Sequence, residues 1–308
     1  MKRFFLIIIA VLLLICPEIY SQADISMIRH WDNRASYNPA SITRPGYIYL
    51  FSDVRNQWVG IDGAPKVINT QASFFSENLS SGFGVSLVAD KVGITQALNP
   101  TLLYAFRAMD NNENSYSLGL SAGVFSRSLN GTEYEAETVI DPLLIYEINR
   151  TIRPDANIGF EFQSRYFTAG ISTTHLFSLF YNTSDYLIDN HRYAYLIFKN
   201  YDYEALGYQF GLHCVNRSNL FVVEGNAGIT FNIPTGLLRG APERFDLGIS
   251  YRTTQQLSAY FSFMLTQNLR AGYAYDQSFI PGFLANGTHE IMLEYRIPVY
   301  EKKCRTCP

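Results

Sequence analysis

Charge is scarce in this 308-residue sequence: Asp, Glu, Lys and Arg make up only 17% of it, and the net charge is −3. With no basic field, nucleic-acid binding has no electrostatic footing. Long apolar runs are nearly absent too. The one clear run, Phe4 to Ile15, follows Lys2-Arg3 and precedes Tyr20-Ser21-Gln22-Ala23. At about a dozen residues it is short of the roughly 20 that a spanning helix needs. A basic start, apolar centre and small-residue exit predict a secretory signal peptide over residues 1–23, cut after Ser21 or, on a small-x-small rule, after Ala23. An exported chain with no spanning helix can enter a membrane only as a closed barrel. Cysteines number four. Cys16 lies in the leader, and Ile15 before it does not suit a lipoprotein site. Cys214 is isolated. Cys304 and Cys307 form a C-x-x-C in the tail, 301–308. A lone pair lacks the further ligands of a zinc site, so it reads as a local disulfide or as two thiols without a role.

Catalytic and cofactor motifs are also missing. There is no H-E-x-x-H, EF-hand loop, P-loop or G-x-G-x-x-G after a strand, and the five histidines are dispersed. Gly119-Leu120-Ser121-Ala122-Gly123 spells G-x-S-x-G but lies within a strand pattern, whereas a nucleophile elbow needs a strand-to-helix turn. His289 and Glu290 are adjacent on a predicted strand and point to opposite faces. The expectation is no enzyme, no metal and no cofactor.

What the sequence does have is aromatic side chains, 15% of the total through 22 Tyr and 22 Phe, at a mean hydropathy of −0.02. It also has alternation. Tyr116, Leu118, Leu120, Ala122 and Val124 oppose Ser117, Gly119, Ser121 and Gly123; Phe245, Leu247, Ile249 and Tyr251 oppose Asp246, Gly248, Ser250 and Arg252. A soluble sandwich alternates as well. Segments near ten residues long, aromatics near segment ends (Tyr47, Tyr104, Tyr116, Tyr166, Tyr251, Tyr273) and a Gly-, Ser- and charge-bearing second face favour a transmembrane, antiparallel, up-and-down β-barrel. About 14 strands are predicted: 46–53, 66–76, 82–91, 96–107, 115–126, 155–163, 166–174, 192–199, 206–214, 220–231, 244–252, 257–265, 269–276 and 288–297. An even count puts both termini on the periplasmic side. The barrel then occupies 46–300, and 24–45, with Trp31, Arg34 and Tyr37-Asn38-Pro39-Ala40, is a periplasmic lead-in. The irregular stretch 127–154 is a loop or holds an unread strand pair.

The densest local signal is Arg55 to Pro65. Arg55, Gln57, Trp58, Gly60, Asp62, Gly63 and Pro65 combine a cation, an amide, an indole and a turn. Arg55 is placed to pair with Asp62 or stack on Trp58. On one reading the cluster pins the first hairpin or the barrel mouth; on the other it is a docking surface, since Trp and Arg are typical interface anchors.

Arg55 to Pro65 resembles the signature of the PorP/SprF family, outer-membrane proteins of the type IX secretion system of Bacteroidota. Tyr37-Asn38-Pro39-Ala40 is similar to that family's early Asn-Pro-Ala element, Gly287-Thr288-His289-Glu290-Ile291-Met292-Leu293 to its closing motif, and Phe245–Arg252 and Leu269–Asp276 to its late strands. The stretches 127–154 and 177–216 depart from the pattern. The resemblance implies a barrel in the outer membrane that supports secretion or surface attachment of particular cargo proteins such as adhesins. It implies contact with that cargo, with periplasmic or peptidoglycan-linked secretion components and with outer-membrane lipid. An outer-membrane porin or hydrophobic-solute channel is the alternative on the same architecture.

Overall fold

The computed structural model describes residues 27–110, 114–130, 148–180, 188–200, 205–217, 220–233, 243–280 and 285–299. The leader and the Cys304/Cys307 tail lie outside these residues. The described chain forms one closed, antiparallel barrel of 14 strands in sequence order, with β1 hydrogen-bonded to β14. The strands are β1 Tyr47–Asn56, β2 Lys66–Ser76, β3 Ser81–Val92, β4 Thr95–Met109, β5 Ser115–Asn130, β6 Ile148–Gln163, β7 Phe167–Thr174, β8 His191–Asn200, β9 Leu206–Arg217, β10 Leu220–Ile233, β11 Glu243–Arg252, β12 Gln256–Met264, β13 Leu269–Ser278 and β14 Thr288–Pro298.

Alternation dictates the faces. Leu102, Leu118, Ile171, Phe210, Phe221 and Ile291 are more than half exposed on the outside, which in a membrane is the lipid face. Their neighbours Ser117, Ser121, Glu161, Asn226, Ser262 and Glu294 are buried in the lumen. The molecule is inverted relative to a soluble protein, with polar side chains inside.

Each predicted strand is present. Of the two readings of 127–154, the strand pair is the one present: β5 runs on to Asn130 and β6 begins at Ile148, with Asn130 opposite Ile148. Arg127, Ser128, Arg150 and Arg153 break the apolar rhythm there, so the sequence conceals a pair that backbone hydrogen bonds extend. One end of the barrel, the terminal end, carries the start of β1, the end of β14 and the connections after the even-numbered strands. The far end carries the ends of the odd-numbered strands, with the described loop 57–65 among them.

A correction concerns the lead-in. Residues 27–43 do not precede the barrel in space; they fold into its lumen. Three 3-10 turns, Ile28–Trp31, Arg34–Ser36 and Pro39–Ile42, follow one another there, and Ile28, Arg29, Asn38, Ala40 and Ile42 are all at most 2% exposed. Met27 lies against Arg252 at the far end, and Thr43 against Ser117 towards the terminal end. The segment therefore runs the barrel's length from far to near, and the expectation that both termini share one end is corrected: strand parity brings the start of β1 and the end of β14 together, but the described chain enters at the far end.

Candidate functional site

The lumen and the segment seated in it form the candidate site. Sequence explains the seat locally. Asn38 is the N-cap of the third turn: its side-chain oxygen accepts from Ala40 N–H at 3.0 Å, with Pro39 at the position where a missing N–H costs nothing. The same amide donates to Phe160 O at 3.1 Å and to the Tyr195 hydroxyl at 2.9 Å, which ties the Asn-Pro-Ala turn to two strands. Gly119 and Gly159 lie beneath it. A Cβ on Gly119 would stand 2.1 Å from Ala40 N, and one on Gly159 2.0 Å from Asn38 Oδ1. These lumenal glycines are the floor of the seat.

Charge fixes the other end. Glu290 receives the free N–H groups of Ile28 and Arg29, both at 2.7 Å, and so caps the first turn. Trp31 Nε1 donates to Glu224 at 2.8 Å, whose other oxygen takes Arg252 Nε at 2.6 Å. Arg29 pairs with Asp32 at 2.6 Å and lies over the Tyr260 ring. Asp32 also meets Arg270, which reaches Asp246 at 2.7 Å. Arg34 donates to both oxygens of Glu161, which also takes the Tyr195 hydroxyl in a short hydrogen bond. Apolar contact completes the seat, with Trp31 and Tyr37 packed on Tyr193, Tyr195, Ile197 and Val215. Buried pairs of this kind add little net stability but penalise every other seating.

The Arg55–Pro65 motif divides between two environments. Arg55 is 2% exposed and faces the lumen, 3.5 Å from Asp276 and 3.7 Å from Glu290. It does not pair with Asp62, which is exposed at the loop tip. The strand period explains this: Arg55 shares the inner face with Asp53, while Asp62 lies beyond the strand end. Gln57 is buried, and its N–H bonds Pro65 O, closing the loop. Gly60 and Gly63 take φ of +96° and +71°, which this reversal requires. Trp58, also at positive φ, donates its N–H to Thr288 Oγ1 at 3.3 Å, while Val59 N–H bonds Gly287 O. Val59 and Ile61 remain partly exposed. The first-hairpin motif and the Gly287–Leu293 motif thus meet where the barrel closes, Arg55 opposite Glu290 and Asn56 opposite His289.

Gly119–Gly123 lies within β5. His289 bonds the Tyr273 hydroxyl at 2.6 Å, on the face opposite buried Glu290. The lumenal carboxylates Glu161, Glu224, Asp246, Asp276 and Glu290 are buried and carry no binding motif in the sequence. Their signal is an acid repeatedly placed on the polar face of an alternating strand. The expected absence of clustered histidines is corrected by the fold, which brings His30 and His213 together beside Glu224. Residues so far apart in the chain give no spacing signal. Above the seated segment a cavity of about 380 Å³ remains, lined by His30, Tyr37, Asp90, Arg127, His175 and Tyr193 among others.

The sequence matches a family described as type IX secretion system membrane protein PorP/SprF over residues 21–295. No curated protein sequence matches it. Among solved structures, the barrel is similar to the CymD monoaromatic hydrocarbon channel, at 12% identity and a TM-score of 0.53 over 91% of this chain and 95% of that one. It is also similar to the toluene transporter TbuX of Ralstonia pickettii, at 12% and 0.53 over 85% and 92%, and to the P. putida toluene transporter TodX, at 9% and 0.53 over 87% and 94%. At such identities the likeness is one of fold.

Proposed function

Because the chain belongs to the PorP/SprF family of type IX secretion system membrane proteins, we propose that it is the outer-membrane barrel that supports secretion or surface attachment of particular cargo proteins, adhesins among them. The family match across residues 21–295 carries this reading. The leader is removed on export, the terminal end faces periplasmic, peptidoglycan-linked components, and the far end, with the Arg55–Pro65 loop, faces the cargo. We assign the barrel no catalysis. Deleting the gene in its native host tests the proposal: selective loss of one or a few large surface proteins by mass spectrometry supports it, and an unchanged surface proteome sinks it.

The competing reading is a small-solute channel. The fold likeness admits it, but the segment at Ile28–Ile42 is seated in the lumen that such a channel needs. The purified chain is expected to give no steady conductance in a planar bilayer, and a variant lacking residues 28–42 to give discrete open steps. Steady conductance by the intact chain would favour the channel.

Trp58 separates the two readings of the hairpin motif. Trp58→Ala removes an indole from a shallow surface site beside Gly287 and Thr288 and leaves Arg55 in place. Heat-modifiable migration of the barrel is expected to persist while cargo display falls. Loss of the folded barrel would make the indole a structural pin instead.

A further inference from the structure

His30, His213 and Glu224 converge although they come from three elements. His213 on β9 and Glu224 on β10 are direct cross-strand partners, both facing the lumen. His30 arrives from the seated N-terminal segment. One nitrogen or oxygen from each lies within 4.8 Å of the others, and all three residues are at most 4% exposed. His30 Nδ1 lies 2.9 Å from Met27 O. A carbonyl only accepts, so Nδ1 carries the proton and the Nε2 lone pair points away from it. That Nε2 has no hydrogen-bond partner, nor has Nε2 of His213. Buried polar atoms are rarely left so. His30 Nε2 is 4.0 Å from Glu224 Oε2, and the two imidazole centroids are 4.5 Å apart.

We propose that His30, His213 and Glu224 form a binding site for a divalent transition metal of the zinc type, which clips the N-terminal segment to β9 and β10. Two imidazoles and a carboxylate are a known three-ligand set for zinc, with a fourth position left for water. Tetrahedral closure brings ligand atoms to about 3.4 Å from one another, which small side-chain rotations supply. Met27 O holds the His30 ring, and Trp31 Nε1 holds Glu224, as outer partners do at metal centres. Arg252 lies 2.6 Å from Glu224 Oε2 and competes for the carboxylate. The imidazoles therefore dominate, and the site selects Zn²⁺ over Ca²⁺ or Mg²⁺. Both histidines line the 380 Å³ cavity, which gives the ion a route. The ligand set is complete only when the segment is seated, so metal binding and seating are one linked equilibrium.

The test uses the full chain in detergent, without a polyhistidine tag, stripped of metal. Cys304→Ser and Cys307→Ser are included so that the tail offers no ligands. Zn²⁺ is titrated calorimetrically and counted by elemental analysis after gel filtration, with Ca²⁺ as the control. One Zn²⁺ per chain is expected, with no Ca²⁺ heat. His213→Gln and His30→Gln are each expected to weaken Zn²⁺ by more than about a hundredfold, beyond what losing an outer partner does. His30 lies outside the strands, so its variant keeps the barrel even if the other fails to fold. Amide exchange of residues 28–42 should slow on Zn²⁺ addition, by about a hundredfold at a hundred times Kd. A folded barrel that binds no Zn²⁺, variants that bind it as well as the parent, or binding without slowed exchange would each overturn the proposal.

Discussion

Replacing Glu290 with alanine is expected to unseat the N-terminal segment. The carboxylate caps the Ile28 and Arg29 amides and faces Arg55, all in the barrel interior. Removing it leaves two buried N–H groups without acceptors and deprives a buried guanidinium of one of its two carboxylates. Breaking a buried charge pair costs about 3–5 kcal/mol. Amide exchange over residues 28–42 should then quicken by roughly a hundred- to a few-thousandfold, at tenfold per 1.4 kcal/mol. Glu290→Gln keeps one acceptor and should fall between. The strand ladder around β14 does not use the side chain, so heat-modifiable migration should survive. Unchanged exchange in Glu290→Ala would show that aromatic contact, not charge, holds the segment.

The second large effect is steric. Gly119→Ala places a methyl 2.1 Å from Ala40 N and 2.4 Å from Pro39 C, and both are backbone atoms with no rotamer to escape into. Gly159→Ala places a methyl 2.0 Å from the Asn38 side-chain oxygen, whose amide is held by its bonds to Ala40, Phe160 and Tyr195. Overpacking typically costs about 1–3 kcal/mol per site, and the two act on one turn. The double variant is expected to expose residues 28–42 to protease while the barrel stays folded, because the lipid-facing residues on either side are unchanged. A barrel variant with the turn still protected would mean that the strands, not the segment, move aside.

Much of this architecture is legible along the chain. The strand period of two separates Leu118 from Ser117 and Leu247 from Asp246 without reference to any other residue, and it yields 14 strands, the lipid face and the even count. It fails at 127–130 and 148–154, where arginines interrupt the rhythm and only pairing across to a neighbour reveals a strand. It also misdirects the lead-in, whose short mixed sequence has no period to read. Asn38-Pro39-Ala40 announces a capped turn, but nothing local says that Gly119 and Gly159 make room for it.

The sequence by itself determined the barrel, its membrane-facing surface and its kinship, because alternation and contiguous motifs are local properties of the chain. The tertiary structure alone decided what the motifs do. Arg55 and Glu290 meet only when β1 closes on β14, and His30 meets His213 and Glu224 only when the N-terminal segment enters the lumen. Contacts between residues hundreds of positions apart depend on closure and register, which no short stretch of sequence encodes.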